Sequence, residues 1–280
     1  MNRIRLSARL APNTFWVEVE AHEIAASARP GQFVMVIPDK KGERIPLNIA
    51  HWDKNKGTIE MVFMSLGVST RKLAAFKAGD FLEGVAGPLG RPAEMANFGQ
   101  VLLIGGCYGV AGLYPVVRGL KENGNQVIFL AEARSRTYLY WDDRIRKVTD
   151  KFITMFRADC FSSGKDLSDI ILGLRQESPQ LARVIVMGCS YLLFTVSEIT
   201  RSTGLKTLVN LNPIMVDGTG MCGACRVTVH GKTHFACVDG PEFDGHGVDW
   251  KEYFSRRKAF FNQEELALAN FESKASDLKE

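Results

Sequence analysis

The sequence predicts a small β-barrel, a Rossmann-like parallel α/β domain and a short C-terminal segment built around cysteines. Three observations lead to this fold class. Short strands separated by Gly, Pro and Asp occupy residues 1–96, a pattern typical of a barrel. Apolar strand runs that end in glycine and lead into helices recur over residues 97–210, as in a parallel sheet. Residues 211–250 then carry three cysteines, and residues 251–280 are expected to form a helical tail.

The bulk composition describes an ordinary globular chain. At 280 residues, with 46% hydrophobic and 24% charged residues, it suits two domains with sizeable cores. The net charge of +4 is slight and scattered, so we expect no nucleic-acid partner. No apolar run has the length of a membrane span or of a signal-peptide core, which favours a cytoplasmic protein without membrane contact. The six cysteines suit metal binding in a reducing compartment, with Cys160 expected to be structural.

Residues 1–96 contain the strands expected of the barrel. Residues 14–21 and 58–64 alternate apolar and polar side chains, and residues 32–37 form a short apolar run after a Pro-Gly turn. Alternation with a period of two places one face of each strand on the core. Residues 69–76 have the pattern of a single short helix, whose start offers free amides and hydroxyls to an anion.

Residues 97–210 predict alternating strands and helices. Strand runs lie at 100–106, 126–131 and 183–187, and helices follow at 110–123 and 192–203. A ligand belongs at the carboxyl ends of such strands. Glycines stand at these ends, namely Gly105, Gly106, Gly109 and Gly188. The pattern indicates a nicotinamide-nucleotide site, although glycines that only permit close packing explain it as well.

Charged side chains after the second strand bear on the choice of nucleotide. Glu132 stands where an acidic residue accepts hydrogen bonds from a ribose. Arg134 and Arg136 come directly after it and are suited to a phosphate on that ribose. The sequence therefore predicts NAD(H) or NADP(H) without deciding between them.

A loop near the C-terminus has the spacing of an iron–sulfur site. Cys222, Cys225 and Cys237 follow a C-x2-C-x11-C pattern, which becomes D-x4-C-x2-C-x11-C when Asp217 is included. This is the plant-type ferredoxin spacing with a carboxylate in place of the first thiolate. Nearby glycines let the loop wrap around a metal centre. Residues 226–238 alternate about a His-Gly turn and predict a hairpin that returns the last cysteine. We therefore expect these four side chains to hold a 2Fe-2S cluster.

Three other interpretations of the cysteines remain open. His230 or His234 could complete a zinc site, because C-x2-C also begins zinc ribbons. Cys222 and Cys225 could be a thioredoxin-like redox pair, although they do not open a helix after a strand. All three cysteines could also be incidental core residues, but a glycine-rich loop with two close thiols is poor core material.

Four short segments resemble the FAD-binding barrel of the ferredoxin reductase superfamily. They read PGQFV at 30–34, RIPLNIA at 44–50, GVST at 67–70 and GPLG at 87–90, in the order expected of the family. The resemblance implies a six-stranded antiparallel barrel, with FAD along the second segment and its pyrophosphate at the helix start. Asn48 stands where the family usually has Ser or Thr. The FAD-binding residues implied are Arg44, Pro46, Leu47, Asn48, Met64, Gly67, Ser69 and Thr70.

The glycine turn resembles the nucleotide site of the same superfamily, with two departures. GGCYG at 105–109 has Cys107 where the family usually has Gly. Gly188-Cys189 stands where related reductases carry Gly-Pro or Cys-Gly-Pro beside the nicotinamide. Cys189 is accordingly either an edge residue of that site or a small core residue. The nucleotide-binding residues implied are Gly105, Gly106, Gly109, Glu132, Arg134, Gly188 and Cys189.

Over nearly its whole length the chain resembles the small subunits of NADH-dependent reduced ferredoxin:NADP oxidoreductases, also called sulfide dehydrogenase subunits. These are related to the electron-transfer subunits of dihydroorotate dehydrogenase. The likeness is carried by residues 44–53, GMCGACRV at 220–227 and FACVDGPEFDGH at 235–246. One Asp and three Cys hold the cluster in that family, and Asp217 matches this pattern, whereas the dihydroorotate relatives have Cys there.

This resemblance implies a subunit that exchanges hydride between nicotinamide and FAD and passes single electrons through the 2Fe-2S cluster. The partner implied is a large flavin and iron–sulfur subunit, similar to the glutamate synthase small subunit, in a complex that bifurcates electrons to ferredoxin. No acid–base catalytic residue is implied. Two alternatives remain. The same type of subunit could serve dihydroorotate dehydrogenase, a sulfur reductase or a hydrogenase, or the chain could be a redox sensor without enzymatic activity.

Overall fold

The N-terminal part of the chain is an antiparallel β-sheet. The computed structural model describes residues 1–159 and 166–277, so Cys160 lies outside the described residues. The strands of this sheet are β1 (Asn2–Ala11), β2 (Thr14–Glu20), β3 (Phe33–Ile37), β4 (Ile45–Asp53), β5 (Thr58–Met64), β6 (Phe81–Leu82) and β7 (Gly84–Leu89). Their spatial order is β6-β1-β2-β5-β4-β3-β7. Two short helices, α1 (His22–Ser27) and α2 (Val68–Ala75), lie in the connections.

One nearly continuous segment closes this sheet into a barrel. β6 and β7 are separated only by Glu83. β6 pairs with β1, where Phe81 lies opposite Arg3, and β7 pairs with β3, where Val85 lies opposite Val36. The two edges of the sheet are thus joined through one segment, and closure removes the exposed edges of an antiparallel sheet. Counted as one strand, this segment makes the barrel six-stranded, as predicted.

The second part of the chain contains five parallel strands and the helices between them. The strands are β8 (Gln100–Gly106), β9 (Gln126–Ala133), β10 (Lys151–Phe156), β11 (Leu181–Met187) and β12 (Lys206–Asn210), in the order β10-β9-β8-β11-β12. The helices are α3 (Gly109–Gly112), α4 (Tyr114–Glu122), α5 (Asp142–Arg146), α6 (Leu167–Glu177) and α7 (Ser190–Arg201). A 3-10 turn spans Arg136–Tyr138.

Both faces of this sheet are buried. Leu102 and Ile104 of β8 belong to one apolar cluster, whereas the alternate residues Val101 and Leu103 belong to a second. A strand buried on both faces is apolar along its whole length, which explains why residues 100–106 read as an unbroken apolar run. A third cluster fills the barrel.

The strand order places a topological switch point between β8 and β11. From β8 the chain proceeds outward through β9 to β10, and it then returns to β11 on the other side of β8. Open α/β sheets bind ligands in the crevice at the carboxyl ends of two such strands. The glycines predicted to bind a nucleotide stand at these two ends.

The C-terminal segment contributes a hairpin, one further strand and two helices. β13 (Arg226–Val229) and β14 (Lys232–Phe235) form the predicted hairpin. Its turn has φ angles of 49° at His230 and 71° at Gly231, as a type I′ turn requires. β15 (Glu242–Asp244) pairs antiparallel with β12 and becomes the sixth strand of the α/β sheet. α8 (Trp250–Arg257) and α9 (Phe261–Asp277) follow. The predicted fold class is confirmed.

Some local expectations differ from the structure. The single helix predicted over 110–123 is two helices, α3 and α4, that meet at Leu113. Pro115, near the start of α4, has no N–H to donate to the preceding turn, which interrupts the helical ladder. β10, β12 and α6 have no counterpart in the sequence interpretation. Within residues 1–159 and 166–277, no helix is both long and apolar enough to cross a membrane.

Candidate functional site

A cavity of about 350 Å³ lies where the barrel meets the α/β sheet. Six of the eight residues expected at FAD line it, namely Arg44, Pro46, Leu47, Asn48, Met64 and Thr70. The α/β domain and the C-terminal segment contribute Tyr108, Asn212 and Arg257 to its lining. The barrel motif thus lies on a cavity shared by three parts of the chain.

β4 presents its first half to this cavity. Asn48 lies opposite Phe33 and Pro46 lies opposite Met35 in the pairing with β3, while the pairing with β5 begins at Ile49. Residues 45–48 of β4 therefore have no partner on the β5 side. Pro46, which has no N–H to donate, is tolerated in this stretch. The interruption of the ladder opens this stretch of backbone toward the cavity.

The start of α2 is the second predicted FAD contact. The Thr70 hydroxyl accepts hydrogen bonds from the N–H groups of Leu66 and Gly67, both at 3.0 Å, and donates to the Gly67 carbonyl at 3.0 Å. Thr70 lines the cavity, whereas Gly67 and Ser69 do not. Ser69 is buried, and the space at a Cβ on Gly67 is open. Of these three residues, therefore, Thr70 is the one whose side chain the structure brings to the cavity.

The glycine turn lets the ends of β8 and β11 approach each other closely. A Cβ on Gly109 would lie 2.0 Å from the Met187 carbonyl oxygen, and a Cβ on Gly188 would lie 2.9 Å from the Gly106 carbonyl oxygen. Gly105 and Gly106 form the last residues of β8 itself. Close packing therefore requires glycine at this edge, and the same edge is the switch point at which a ligand is expected.

A second cavity, of about 130 Å³, lies beside this turn. Asn13 and Met64 of the barrel line it together with Cys107, Arg134 and Arg157 of the α/β domain. Asn13 Oδ1 is buried and has no hydrogen-bond partner among the described residues. A buried acceptor of this kind suits a polar ligand that donates a hydrogen bond.

Glu132 lies buried behind the turn instead of lining this cavity. Arg157 Nε is 2.6 Å from Glu132 Oε1. The Arg157 side chain is 53% exposed and the Glu132 side chain is 5% exposed. Burial raises the pKa of Glu132, and the Arg157 guanidinium opposes that rise. The carboxylate predicted to bind ribose is thus engaged by Arg157, while Arg134 and Arg157 face the cavity. Sequence reasoning missed Arg157 because it missed β10, and a basic residue directly after that strand was the available signal.

A buried hydrogen-bond network joins the glycine turn to the C-terminal segment. The Tyr108 hydroxyl donates to the Gly188 carbonyl at 2.8 Å and accepts from Asn212 Nδ2 at 2.5 Å. The Tyr253 hydroxyl donates to Asn212 Oδ1 at 2.6 Å. Burial raises the pKa of both tyrosines, so both hydroxyls stay protonated. Tyr108 and Asn212 also line the larger cavity. Tyr108 lies within the GGCYG segment, but sequence reasoning assigned a role to neither residue.

The C-terminal segment places the four predicted metal ligands in two pairs. The sulfurs of Cys225 and Cys237 are buried and 3.2 Å apart. The Asp217 carboxylate accepts the Cys222 N–H at 2.7 Å, so these two residues lie side by side. Two pairs of ligands suit the two irons of a 2Fe-2S cluster, whereas a structural zinc ion requires four ligands around one centre. The donor set therefore fits the expected cluster.

Backbone amides keep the Asp217 carboxylate ionised. The N–H of Thr219 donates to Asp217 Oδ1 at 2.8 Å, and this bond and the one from Cys222 lower the pKa of Asp217. Gly218 and Gly220 have φ angles of 81° and 87°, in the left-handed region that favours glycine. These glycines turn the loop so that its amides point inward, and the carboxylate is anionic at neutral pH.

The structure does not favour the alternatives for the cysteines. His230 Nε2 lies 2.9 Å from Asp244 Oδ2, and the His234 ring packs 5.7 Å from the Phe243 ring. Cys222 and Cys225 precede a strand and not a helix, unlike a thioredoxin-like pair.

Comparison with known proteins places the whole chain in a family. Residues 212–249 match the iron–sulfur cluster binding domain of dihydroorotate dehydrogenase B. The dihydroorotate dehydrogenase B (NAD(+)) electron transfer subunit homolog of Thermotoga maritima is 38% identical over 97% of this chain and 95% of its own length. This chain belongs to that electron-transfer subunit family. An uncharacterized protein in the adh 3′ region of Clostridium beijerinckii is also 38% identical, over 95% of this chain and 92% of its own.

Solved structures agree with this assignment of the electron-transfer subunit. A structure of the NADH-dependent reduced ferredoxin-NADP oxidoreductase, described for flavin-based electron bifurcation, matches with a TM-score of 0.87 and 37% identity over 97% of this chain and 98% of that chain. Phthalate dioxygenase reductase shares the fold at a TM-score of 0.57 and 12% identity. The predicted resemblance is confirmed, and the chain is an oxidoreductase subunit. As an electron-transfer subunit it serves a larger partner subunit.

Proposed function

We propose that this chain is the FAD and 2Fe-2S subunit of a flavin-based electron-bifurcating NAD(H)/NADP(H):ferredoxin oxidoreductase. The observation that carries the proposal is the placement of Asp217 beside Cys222 in one loop and of Cys225 beside Cys237, which the β13–β14 hairpin returns to that loop. This loop packs on the barrel, since a Cβ on Gly218 would lie 2.8 Å from a side-chain carbon of Leu89. Similarity to a bifurcating oxidoreductase over almost the full length of both chains supports it further.

The cofactors of this function are FAD, a 2Fe-2S cluster and NAD(H) or NADP(H). When bound, FAD exchanges hydride with the nicotinamide and single electrons with the cluster, so it converts between two-electron and one-electron transfer. The chain itself positions these groups and needs no acid–base residue. Asp217, Cys222, Cys225 and Cys237 hold the cluster in this proposal.

The larger cavity is the proposed FAD site. Arg44, exposed at its rim, supplies a cation for the pyrophosphate, and the start of α2 supplies free amides. The wall of the cavity excludes water from the flavin ring, and the buried Tyr108–Asn212 pair fixes hydrogen-bonding groups in it. The full set of proposed FAD residues is Arg44, Pro46, Leu47, Asn48, Met64, Gly67, Ser69 and Thr70.

The smaller cavity and the glycine turn are the proposed nucleotide site. Arg134 and Arg157 line that cavity and would pair with nucleotide phosphates. Gly188 and Cys189 border the nicotinamide in this proposal. The remaining proposed residues are Gly105, Gly106, Gly109 and Glu132, of which Glu132 acts by holding Arg157 in place.

The proposed partner is a large flavin and iron–sulfur subunit similar to the glutamate synthase small subunit, through which ferredoxin exchanges electrons. Apolar side chains next to the cluster ligands are exposed, with Met221 89%, Val216 53% and Val238 44% exposed. Exposed apolar side chains that adjoin one another mark protein contacts, and electron transfer requires the cluster to lie near the partner. The cytoplasmic location expected from the sequence belongs to this proposal.

The test begins with the chain purified without oxygen. Iron, acid-labile sulfide, zinc and released flavin are quantified on one sample. Two irons and two sulfides, as a 2Fe-2S cluster requires, with one FAD per chain are expected, together with bleaching of the flavin by NADH or NADPH. Zinc without flavin, or flavin that no nicotinamide nucleotide bleaches, would refute the proposal.

Substitutions at Asp217 test the ligand assignment. Asp217→Cys is expected to retain the cluster and change its reduction potential, because sulfur is a softer ligand than oxygen. Asp217→Ala is expected to lose iron. Asp244→Asn is the matched control, since Asp244 also accepts a backbone N–H, from His246 at 3.0 Å, in the same segment. Unchanged iron content and potential in Asp217→Ala would show that the carboxylate is not a ligand.

A further inference from the structure

Two cysteines outside the cluster loop lie side by side at the switch point. Met187 pairs with Gly105 at the carboxyl ends of the parallel strands β11 and β8. Cys189 and Cys107 each come two residues after that pair. Neighbouring strands lie about 4.8 Å apart. A disulfide spans about 4.4–6.8 Å between Cα atoms, and two residues that leave neighbouring strand ends at the same level are placed to form one.

The contacts of the two residues show the same proximity. The backbones just before them touch, since a Cβ on Gly188 would lie 2.9 Å from the Gly106 carbonyl oxygen. The Cys107 and Cys189 sulfurs are close enough that each shifts the pKa of the other. Both side chains are half-buried, and Cys107 lines the smaller cavity. A small reagent in that cavity therefore reaches Cys107, and Cys189 is itself partly exposed.

The two sulfurs have different surroundings. Interaction with the Cys107 thiol lowers the pKa of Cys189 to about 6, and the backbone N–H groups of Leu192 and Tyr191 at the start of α7 and the charge of Arg157 act in the same direction. The same interaction with Cys189, together with burial, raises the pKa of Cys107. At neutral pH Cys189 is thus a thiolate that can attack, and Cys107 is a thiol placed to follow it.

Cys107 also has a strained backbone. Its φ of 52° lies in the left-handed region, where residues other than glycine are uncommon. Glycine would adopt this conformation without cost. Strain of this kind persists at functional sites, so the presence of a sulfur here points to a use for it.

We propose that Cys107 and Cys189 are a redox-active dithiol whose disulfide shuts off the nucleotide site. The oxidant is a low-molecular-weight disulfide. The Cys189 thiolate attacks one of its sulfurs, which forms a mixed disulfide and releases a small thiolate. Cys107 then gives up its proton and attacks the Cys189 sulfur, and the internal disulfide forms as the second half of the reagent leaves as a thiol. The pair loses two electrons and one proton, and the small disulfide is reduced to one thiolate and one thiol.

The disulfide would tie the turn before α3 to the turn before α7. These two turns border the nicotinamide in the proposed function. The expected inhibition of hydride transfer by the disulfide therefore depends on that proposed function. The bond holds the two turns together and removes the thiolate from the edge of the site. Hydride transfer is expected to fall roughly tenfold or more, because small displacements of reacting groups have effects of that order.

The experiment uses the purified holoprotein and oxidised glutathione under anaerobic conditions. Peptide mapping of alkylated protein identifies the linked cysteines, and iron, flavin and the rate of flavin reduction by NADH and NADPH are measured on the same samples. Cys107→Ser and Cys189→Ser are treated in parallel. The expected result is a Cys107–Cys189 linkage with iron and flavin retained, a slower flavin reduction that dithiothreitol restores, and neither linkage nor inhibition in either variant.

Three outcomes would overturn the proposal. The first is the absence of the Cys107–Cys189 linkage after treatment. The second is a linkage confined to Cys225 and Cys237 with loss of iron. The third is a Cys107–Cys189 linkage that leaves the rate of flavin reduction unchanged. Failure of the proposed function is distinguishable, because untreated protein would then show no flavin reduction by either nucleotide, whereas the mapping would still test the thiol pair.

Discussion

Gly109 is the position at which packing of the switch point can be tested most directly. A Cβ there would lie 2.0 Å from the Met187 carbonyl oxygen, 2.3 Å from its carbonyl carbon and 2.8 Å from the Gly188 nitrogen. All three are backbone atoms at the end of β11, so no side-chain rotation relieves the overlap. In Gly109→Ala the start of α3 must therefore move away from β11.

The size of the effect follows from these distances. Ordinary contact begins at 3.4 Å, so the Cβ must move by 3.4 minus 2.0, or about 1.4 Å. Overpacking of a core costs about 1–3 kcal/mol and more where the backbone resists, so we expect a loss of about 3 kcal/mol. At about 2–4 °C per kcal/mol for a chain of this size, Tm would fall by about 6–12 °C.

Gly173→Ala is the matched control for this substitution. Gly173 also lies in a helix, and nothing lies within 4 Å of a Cβ placed there. Alanine favours a helix by about 0.8–1 kcal/mol over glycine, so Tm should stay level or rise. Thermal unfolding of the holoproteins followed by circular dichroism measures both variants. A Tm for Gly109→Ala equal to that of the control would refute the close approach of α3 to β11.

Two further predictions concern the same edge of the sheet. The rate at which iodoacetamide alkylates Cys189 should be high at pH 7 and should fall as the pH drops through about 6. The lowered pKa keeps Cys189 a thiolate at any pH above about 6. A midpoint near pH 9 would contradict the lowering of that pKa. Tyr253→Phe removes the hydroxyl that donates to Asn212 Oδ1 and should lower the free energy of unfolding by about 1 kcal/mol. Denaturant unfolding measures that loss, and Tyr191→Phe, at a 70% exposed side chain, should show none.

Patterns that depend on near neighbours in the chain were readable from the sequence. The hairpin at 226–235 follows from alternation about His230-Gly231, because the turn type needs left-handed residues there. The buried strand at 100–106 follows from its apolar run. The spacing of Asp217 and the three cysteines indicated a two-iron site, and that assignment stays a prediction. The structure places Asp217 beside Cys222 and Cys225 beside Cys237.

Elements without a local signal were missed. β10 forms the edge of the sheet, so most of its side chains are partly exposed. A strand in that position does not need an unbroken apolar run, and its sequence has none. Arg157, which follows it, was missed as a consequence. The break between α3 and α4 at Leu113 was also missed, although Pro115 was visible, because proline near a helix start is compatible with one helix or two.

The sequence by itself determined the barrel, the parallel sheet, the order of the parts and the spacing of the four predicted cluster ligands, since each depends on periodicity or on short-range turns. Tertiary structure alone decided which distant residues meet. The approach of Cys107 to Cys189, the ion pair of Glu132 with Arg157 and the bond from Asn212 to Tyr108 each join residues far apart in the chain. Parallel pairing of β8 with β11 creates the first contact, pairing of β9 with β10 creates the second, and the third also needs β12 beside β11. Pairing between distant strands leaves no trace in the local pattern of either one.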